Sequence, residues 1–288
     1  MDFRQLLAAG GPILLDGAMG TELDRRGLPS RLRANLDHPE TVVEIHREYL
    51  RAGCQVLLTN TLTMNRIYLQ THRLGVDVAA VNLAGARLAR QAADSGQCVL
   101  GNLTATGQLL EPYGTLTGSE ACDAFREQAG CLAEGGVDGF IIETMYDLRE
   151  ALCAVRACKE LALPVIASMA FTSEQKGGRT VMGDPAADCA RQLADAGADV
   201  VGANCGDLDP AQMAVVVTHL QEATPLPVLA EPNAGKPQLI AGQTLFSMEP
   251  GPFAEGVAAC HWAGARLVGG CCGTTPDHIR AVARKLAR

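Results

Sequence analysis

The sequence predicts a (β/α)8 barrel in a single domain spanning residues 1–288, and three observations carry that expectation. Short apolar runs alternate with longer amphipathic ones from end to end, eight of each. The apolar runs are almost continuous, as parallel strands are when both faces are covered. The first four run ends are evenly spaced: Asp16, Thr59, Gly101 and Glu143 follow one another in steps of 43, 42 and 42 residues. Later steps are shorter and leave no room for an inserted domain. An open doubly wound sheet is the alternative, and it is disfavoured because no Gly-x-Gly-x-x-Gly follows the first strand.

The expected strands are 13–15, 56–59, 99–103, 139–143, 165–170, 200–205, 228–231 and 266–270. Helices are expected near 41–52, 77–94, 119–135, 147–161, 185–196, 210–223, 252–263 and 276–287. The segment 119–135 shows the period, with Ala121, Phe125, Ala129 and Leu132 three or four residues apart on one face. Asp184-Pro185, Asp209-Pro210 and Thr275-Pro276 each place a capping side chain before a proline suited to a first helical turn. Gly136, Gly197 and Gly264 stand where helices should stop.

Composition narrows the function classes. Hydrophobic residues make up 48% of the chain and charged residues 19%, enough for a large core and incompatible with intrinsic disorder. A net charge of -8 and only 4% aromatics argue against a nucleic-acid partner. No run approaches the ~18 apolar residues of a membrane span, and Met1-Asp2-Phe3-Arg4 lacks the plan of a signal peptide. The chain nevertheless holds 11 cysteines, an odd count. With no export signal, these read as reduced thiols of a cytoplasmic protein.

The residues able to do chemistry gather at the strand ends. They are Asp16-Gly17-Ala18-Met19-Gly20-Thr21-Glu22, Thr59-Asn60-Thr61, Glu143-Thr144, Gly202-Ala203-Asn204-Cys205, Glu231-Pro232-Asn233-Ala234-Gly235 and Gly269-Gly270-Cys271-Cys272-Gly273-Thr274. In a barrel these converge on one mouth. Cys205, Cys271 and Cys272 offer three soft thiolates with a fourth position open, the plan of a catalytic zinc site. Neighbouring strand residues face opposite ways, so the vicinal pair can share Zn2+ only off the strand, where Gly269, Gly270 and Gly273 give the chain freedom. The other eight cysteines read as packing residues in helices or, for Cys54 and Cys98, at the far end of the barrel. The six histidines form no ligand pattern.

Zinc with three thiolates carries a net charge of about -1, which suits holding a substrate thiolate better than activating water. Amides around Gly17 and Gly20 could hold a carboxylate, and Glu143 an ammonium group. Together these describe an amino acid carrying a thiol. Asn60, Asn204 and Asn233 are further candidate contacts.

These motifs, in this order at the strand ends and over essentially the whole chain, resemble the homocysteine S-methyltransferase family. The resemblance implies a (β/α)8 barrel, Cys205, Cys271 and Cys272 as zinc ligands, and Asp16, Gly17, Ala18, Met19 and Glu143 as the grip on homocysteine, which would be converted to methionine. The segments 106–114 and 178–183 look like the cobalamin-dependent branch, whose donor is methylcobalamin. The betaine branch has an aromatic residue where Thr144 stands. The chain ends at its eighth helix, which leaves two options: part of a longer protein, or a free-standing barrel meeting a separate corrinoid protein. An S-methylmethionine or other donor with homocysteine or another thiol is the alternative activity, and a non-catalytic zinc or thiol sensor the alternative of another class.

Overall fold

The computed structural model describes residues 2–28, 33–240 and 243–287. Its strands are β1 (Ile13–Leu14), β2 (Val56–Leu58), β3 (Cys98–Leu103), β4 (Gly139–Met145), β5 (Val165–Met169), β6 (Val200–Asn204), β7 (Val228–Glu231), β8 (Gln238–Ile240), β9 (Gln243–Leu245) and β10 (Ala265–Val268). Eight form one parallel sheet in the order β1-β10-β7-β6-β5-β4-β3-β2, and a parallel bridge from Leu15 to Val56 brings its two edges together. The result is the expected (β/α)8 barrel. The remaining two strands, β8 and β9, pair antiparallel as a hairpin after β7.

The pleat alternates side chains between the lumen and the surrounding helices. Ile13, Leu15, Val56, Cys98, Leu100, Ile141, Ile166, Val200, Leu229 and Leu267 form one buried cluster inside the ring. Phe3 and Leu6 join it from the helix Phe3–Ala8, which the sequence reading missed. A reciprocal capping box between Asp2 and Gln5 starts that helix. The larger cluster lies between strands and outer helices, and there Ala121, Phe125, Ala129 and Leu132 are fully buried, as their spacing implies.

The helix punctuation holds with one correction. Asp209 caps the helix Pro210–Ala223, and Thr275 exchanges contacts with His278 at the start of Pro276–Leu286. Gly136, Gly197 and Gly264 all take left-handed φ just past helix ends. Asp184, however, does not cap the next helix. Pro185 is its N-cap and gives no side-chain bond, while Asp184 instead turns back to Thr180. Cys98 is the first residue of β3 rather than preceding it, and lies in the lumen. None of the eleven cysteines is joined in a disulfide, and among the described residues no helix is long and apolar enough to cross a membrane.

Ile141 tests the lumen packing, since it is fully buried within the ring. Ile141→Ala is expected to cost about 2–5 kcal/mol in urea unfolding, from lost burial and the cavity left behind.

Candidate functional site

The strand ends open into a cavity of about 530 Å³. Its lining includes Gly17, Ala18, Met19, Asn60, Glu143, Cys271 and Cys272 from the sequence-derived set. The first turn of the helix Met19–Arg25 forms one wall, and its leading amides have no intrahelical acceptor. Thr274 fixes this wall by accepting from the Ala18 amide at 3.0 Å and donating to the Cys271 carbonyl at 2.7 Å. Tyr49 donates its hydroxyl to Ala18 and Thr274 carbonyls. Gly17 makes this possible by its lack of a side chain, because a Cβ there would lie 2.7 Å from Thr274 Oγ1 and 2.8 Å from the Tyr49 ring.

Glu143 stands at the end of β4, 6% exposed, between two amides. Asn102 donates to one carboxylate oxygen at 2.6 Å and Asn204 to the other at 2.8 Å. Burial pushes Glu143 up to about 7 against the Asn102 bond, which lowers it. Asn204 therefore does not line the cavity; fully buried, it positions Glu143 and also accepts from the Thr144 amide and Ser168 hydroxyl. Thr144 holds a left-handed φ of 58° there. Asp16 and Asn233 are also buried behind the lining, at 2% and 1% exposure. Asp16 accepts from the Leu58 amide at 3.0 Å, joining β1 to β2.

Asn102 escaped the sequence reading, and Glu231 was noted there only as part of a strand-end motif, with no role of its own. Glu231 is 1% exposed at the end of β7, and neither carboxylate oxygen has a hydrogen-bond partner among the described residues. Burial, followed by the charges of Glu143 and Asp16, raises its pKa well above the usual carboxylate range. Gly269 leaves it room: a Cβ there would come within 2.8 Å of Glu231 Oε1. Thus Gly269 serves close approach, and of the three glycines expected to free this loop Gly273 alone takes a positive φ, at 80° beside Phe246.

Cys205, Cys271 and Cys272 are brought together, each part-buried, with their sulfur atoms all within 4.8 Å of one another. Cys205 and Cys272 sulfurs are 3.9 Å apart. A tetrahedral zinc with bonds of about 2.3 Å needs sulfurs roughly 3.8 Å apart, so the donor set fits that ion. Contact with Cys271 lowers the Cys205 thiol, but contact with Cys272 and burial outweigh it and push Cys205 up to about 12. Contacts with Cys205 and Cys272, then burial, hold Cys271 well above the ordinary thiol value. Packed this closely, the sulfurs need a cation before they can ionise together.

The sequence profile of the homocysteine S-methyltransferase family matches residues 13–286. The chain belongs to that family. Among homocysteine S-methyltransferase relatives, the methionine synthase of Mycobacterium leprae is 33% identical over 293 residues, covering 95% of this chain and 24% of the relative. Betaine–homocysteine S-methyltransferase 1 of Mus musculus is 32% identical, covering 98% of this chain and 74% of the relative. The metallated homocysteine methyltransferase MmuM of Escherichia coli superposes with a TM-score of 0.80 at 25% identity, over 98% of this chain and 99% of the other. The chain spans about a quarter of the length of the methionine synthases it matches.

Asp16 and His46 lie 4.0 Å apart beneath the site, both buried. Burial pushes His46 down to about 3, whereas an imidazole in the unfolded chain titrates near ~6.5. Between those values the unfolded state holds a proton that the folded state lacks, so stability falls as pH drops below about 6.5, by up to ~1.4 kcal/mol per pH unit. Urea midpoints at about pH 7, 6 and 5 are expected to fall more steeply for the parent than for His46→Met. Parallel slopes would show that His46 is not held neutral.

Proposed function

We propose that this chain is a single homocysteine-binding unit over residues 1–288 that moves a methyl group to the sulfur of homocysteine, giving methionine. The observation that carries the reading is a cluster of three thiols, two of which, Cys271 and Cys272, line the same cavity as Glu143 and a helix first turn. Cys205, Cys271 and Cys272 would hold Zn2+, which when bound supplies the positive charge that keeps a substrate thiol ionised yet nucleophilic at neutral pH. The amides at the start of the helix Met19–Arg25, whose first residues line the cavity, would hold the substrate carboxylate. Glu143 takes the ammonium group, whose charge favours the ionised carboxylate that burial opposes. Asn102 and Asn204 keep both its oxygens in place. So gripped at its amino-acid end, the substrate directs its sulfur toward the donor. The sulfur forms a bond to the methyl carbon as the donor bond breaks, and the donor leaves with that electron pair.

Methylcobalamin, carried by another domain or a separate corrinoid protein, is the proposed donor. The rim of the mouth supports a large, protein-borne donor: Leu62, Leu109, Tyr113 and Val181 are exposed in the segments after β2, β3 and β5, and Leu239 and Leu245 on the β8–β9 hairpin after β7. Apolar residues grouped around an opening mark a surface meant to be covered. Small cationic donors fit less well. A quaternary ammonium or sulfonium group is usually held by several aromatic faces, and Tyr68 is the one aromatic side chain among the described residues lining the cavity.

Cys272→Ala is expected to remove both bound zinc, read by elemental analysis, and methyl transfer to homocysteine; full activity in that variant would overturn the proposal. Glu143→Gln is expected to raise the KM for homocysteine roughly tenfold to a hundredfold while zinc content stays unchanged. Assays with methylcobalamin, S-methylmethionine and betaine in parallel identify the donor, and turnover with betaine alone would refute the corrinoid reading.

A further inference from the structure

One short stretch of chain anchors all three cysteines of the site. The Cys205 amide donates to the Glu231 carbonyl at 3.1 Å, and the Cys271 amide to the Pro232 carbonyl at 2.9 Å. The Cys272 amide donates to the side-chain oxygen of Asn233 at 3.0 Å, and the Cys272 carbonyl accepts from the Ala234 amide at 2.9 Å. The nitrogen of the same Asn233 side chain donates to the carbonyl of Gly206, the residue after Cys205, at 3.0 Å. Residues 231–234 therefore touch the backbone of Cys205, Cys271 and Cys272 alike. Within that stretch Asn233 alone reaches both loops through its side chain, since Pro232 and Ala234 have no polar side-chain atom and the carboxylate oxygens of Glu231 have no hydrogen-bond partner among the described residues.

Neither loop is held in register by regular structure. Cys205 lies just past β6 with φ at 53°, and Gly206 follows at 67°. Cys271 and Cys272 lie beyond the end of β10. An L-residue in the left-handed region persists only where its surroundings hold it there. Asparagine suits the joint because one planar amide presents an acceptor and a donor to two backbones at once. At 1% exposure, water cannot take over either bond.

We propose that Asn233 is a positioning residue of the metal centre, a strut that locks the Cys205 loop to the Cys272 loop and gathers the sulfurs before any ion arrives. This differs from the substrate contact that the motif alone suggested, and it rests on reading the three cysteines as a metal site. Residues that orient metal ligands typically contribute ten- to a hundredfold in metal affinity.

The test is titration of metal-free, reduced protein with Co2+, read by thiolate-to-cobalt absorption, and with Zn2+ against a chromophoric chelator. Asn233→Ala is expected to weaken both metals ten- to a hundredfold. Asn82→Ala is the control: Asn82 is another fully buried asparagine, donating to the Met64 and Val78 carbonyls away from the thiols. It is expected to lower the melting temperature of the metal-free protein and leave metal affinity unchanged. Equal affinity in Asn233→Ala and the parent overturns the proposal, as does equal weakening in both variants. If Asn233→Ala does not fold, Asn233→Asp, which keeps the acceptor for Cys272 but loses the donor to Gly206, carries the same expectation of at least about tenfold weaker binding. A parent that binds neither ion, or a Cys272→Ala variant that binds both as the parent does, refutes the metal site itself rather than the role of Asn233.

Discussion

Closure of the parallel ring is the constraint from which the rest follows. The Leu15–Val56 bridge joins the two edges of the sheet, so strand ends far apart in sequence must face one another across a narrow lumen. Cys205 and Cys271 are 66 positions apart and belong to strands that are not neighbours, yet closure sets their loops on the same rim. The apolar side chains inside the ring fill its lower and middle levels, leaving the polar and reactive groups the uppermost one. Each step up a strand exchanges packing for chemistry: Leu100 gives way to Asn102, Ile141 to Glu143, and Leu229 to Glu231.

That upper level is electrostatically unfinished. Asp16, Glu143 and Glu231 are buried near one another and all are pushed toward the neutral form. Cys205 and Cys271 are driven the same way beside them. The arrangement offers acceptors in excess and few donors, which suits a substrate bearing a positive amine and, on the proposed reading, a metal ion. Binding free energy would come partly from relieving this imbalance, because the cations allow groups to ionise that burial otherwise keeps neutral. The neutral neighbours of Glu143, Asn102 and Asn204, orient it without competing for the ammonium group.

Much of this was legible in the sequence because the signals were local. Continuous apolar runs marked the strands, and Gly136, Gly197 and Gly264 marked helix ends by a backbone conformation that glycine accepts freely. The vicinal Cys271 and Cys272 between glycines announced a bend out of β geometry. What stayed hidden depended on partners distant in the chain. Asn204 and Asn233 were singled out as residue types, but their bonds to Thr144 and Glu143, and to Gly206 and Cys272, form only when the ring closes. Glu231 stands out only as one member of a strand-end motif until its neighbour Gly269 is seen to leave it space. The helix Phe3–Ala8 is too short to show a period, and Asp184-Pro185 resembles a cap although Thr180 has taken its carboxylate.

Phe3 and Leu6 enter the ring from the end opposite the thiols and complete its apolar floor, with the Phe3 ring close to Gly139 at the start of β4. The barrel is thereby a cup and not a tube. Whatever reaches the sulfur atoms, and whatever is made there, crosses the same rim in opposite directions. A donor broad enough to cover that rim would also seal it, so the acceptor must already be seated when the donor arrives, and the product can depart only once the donor has lifted away.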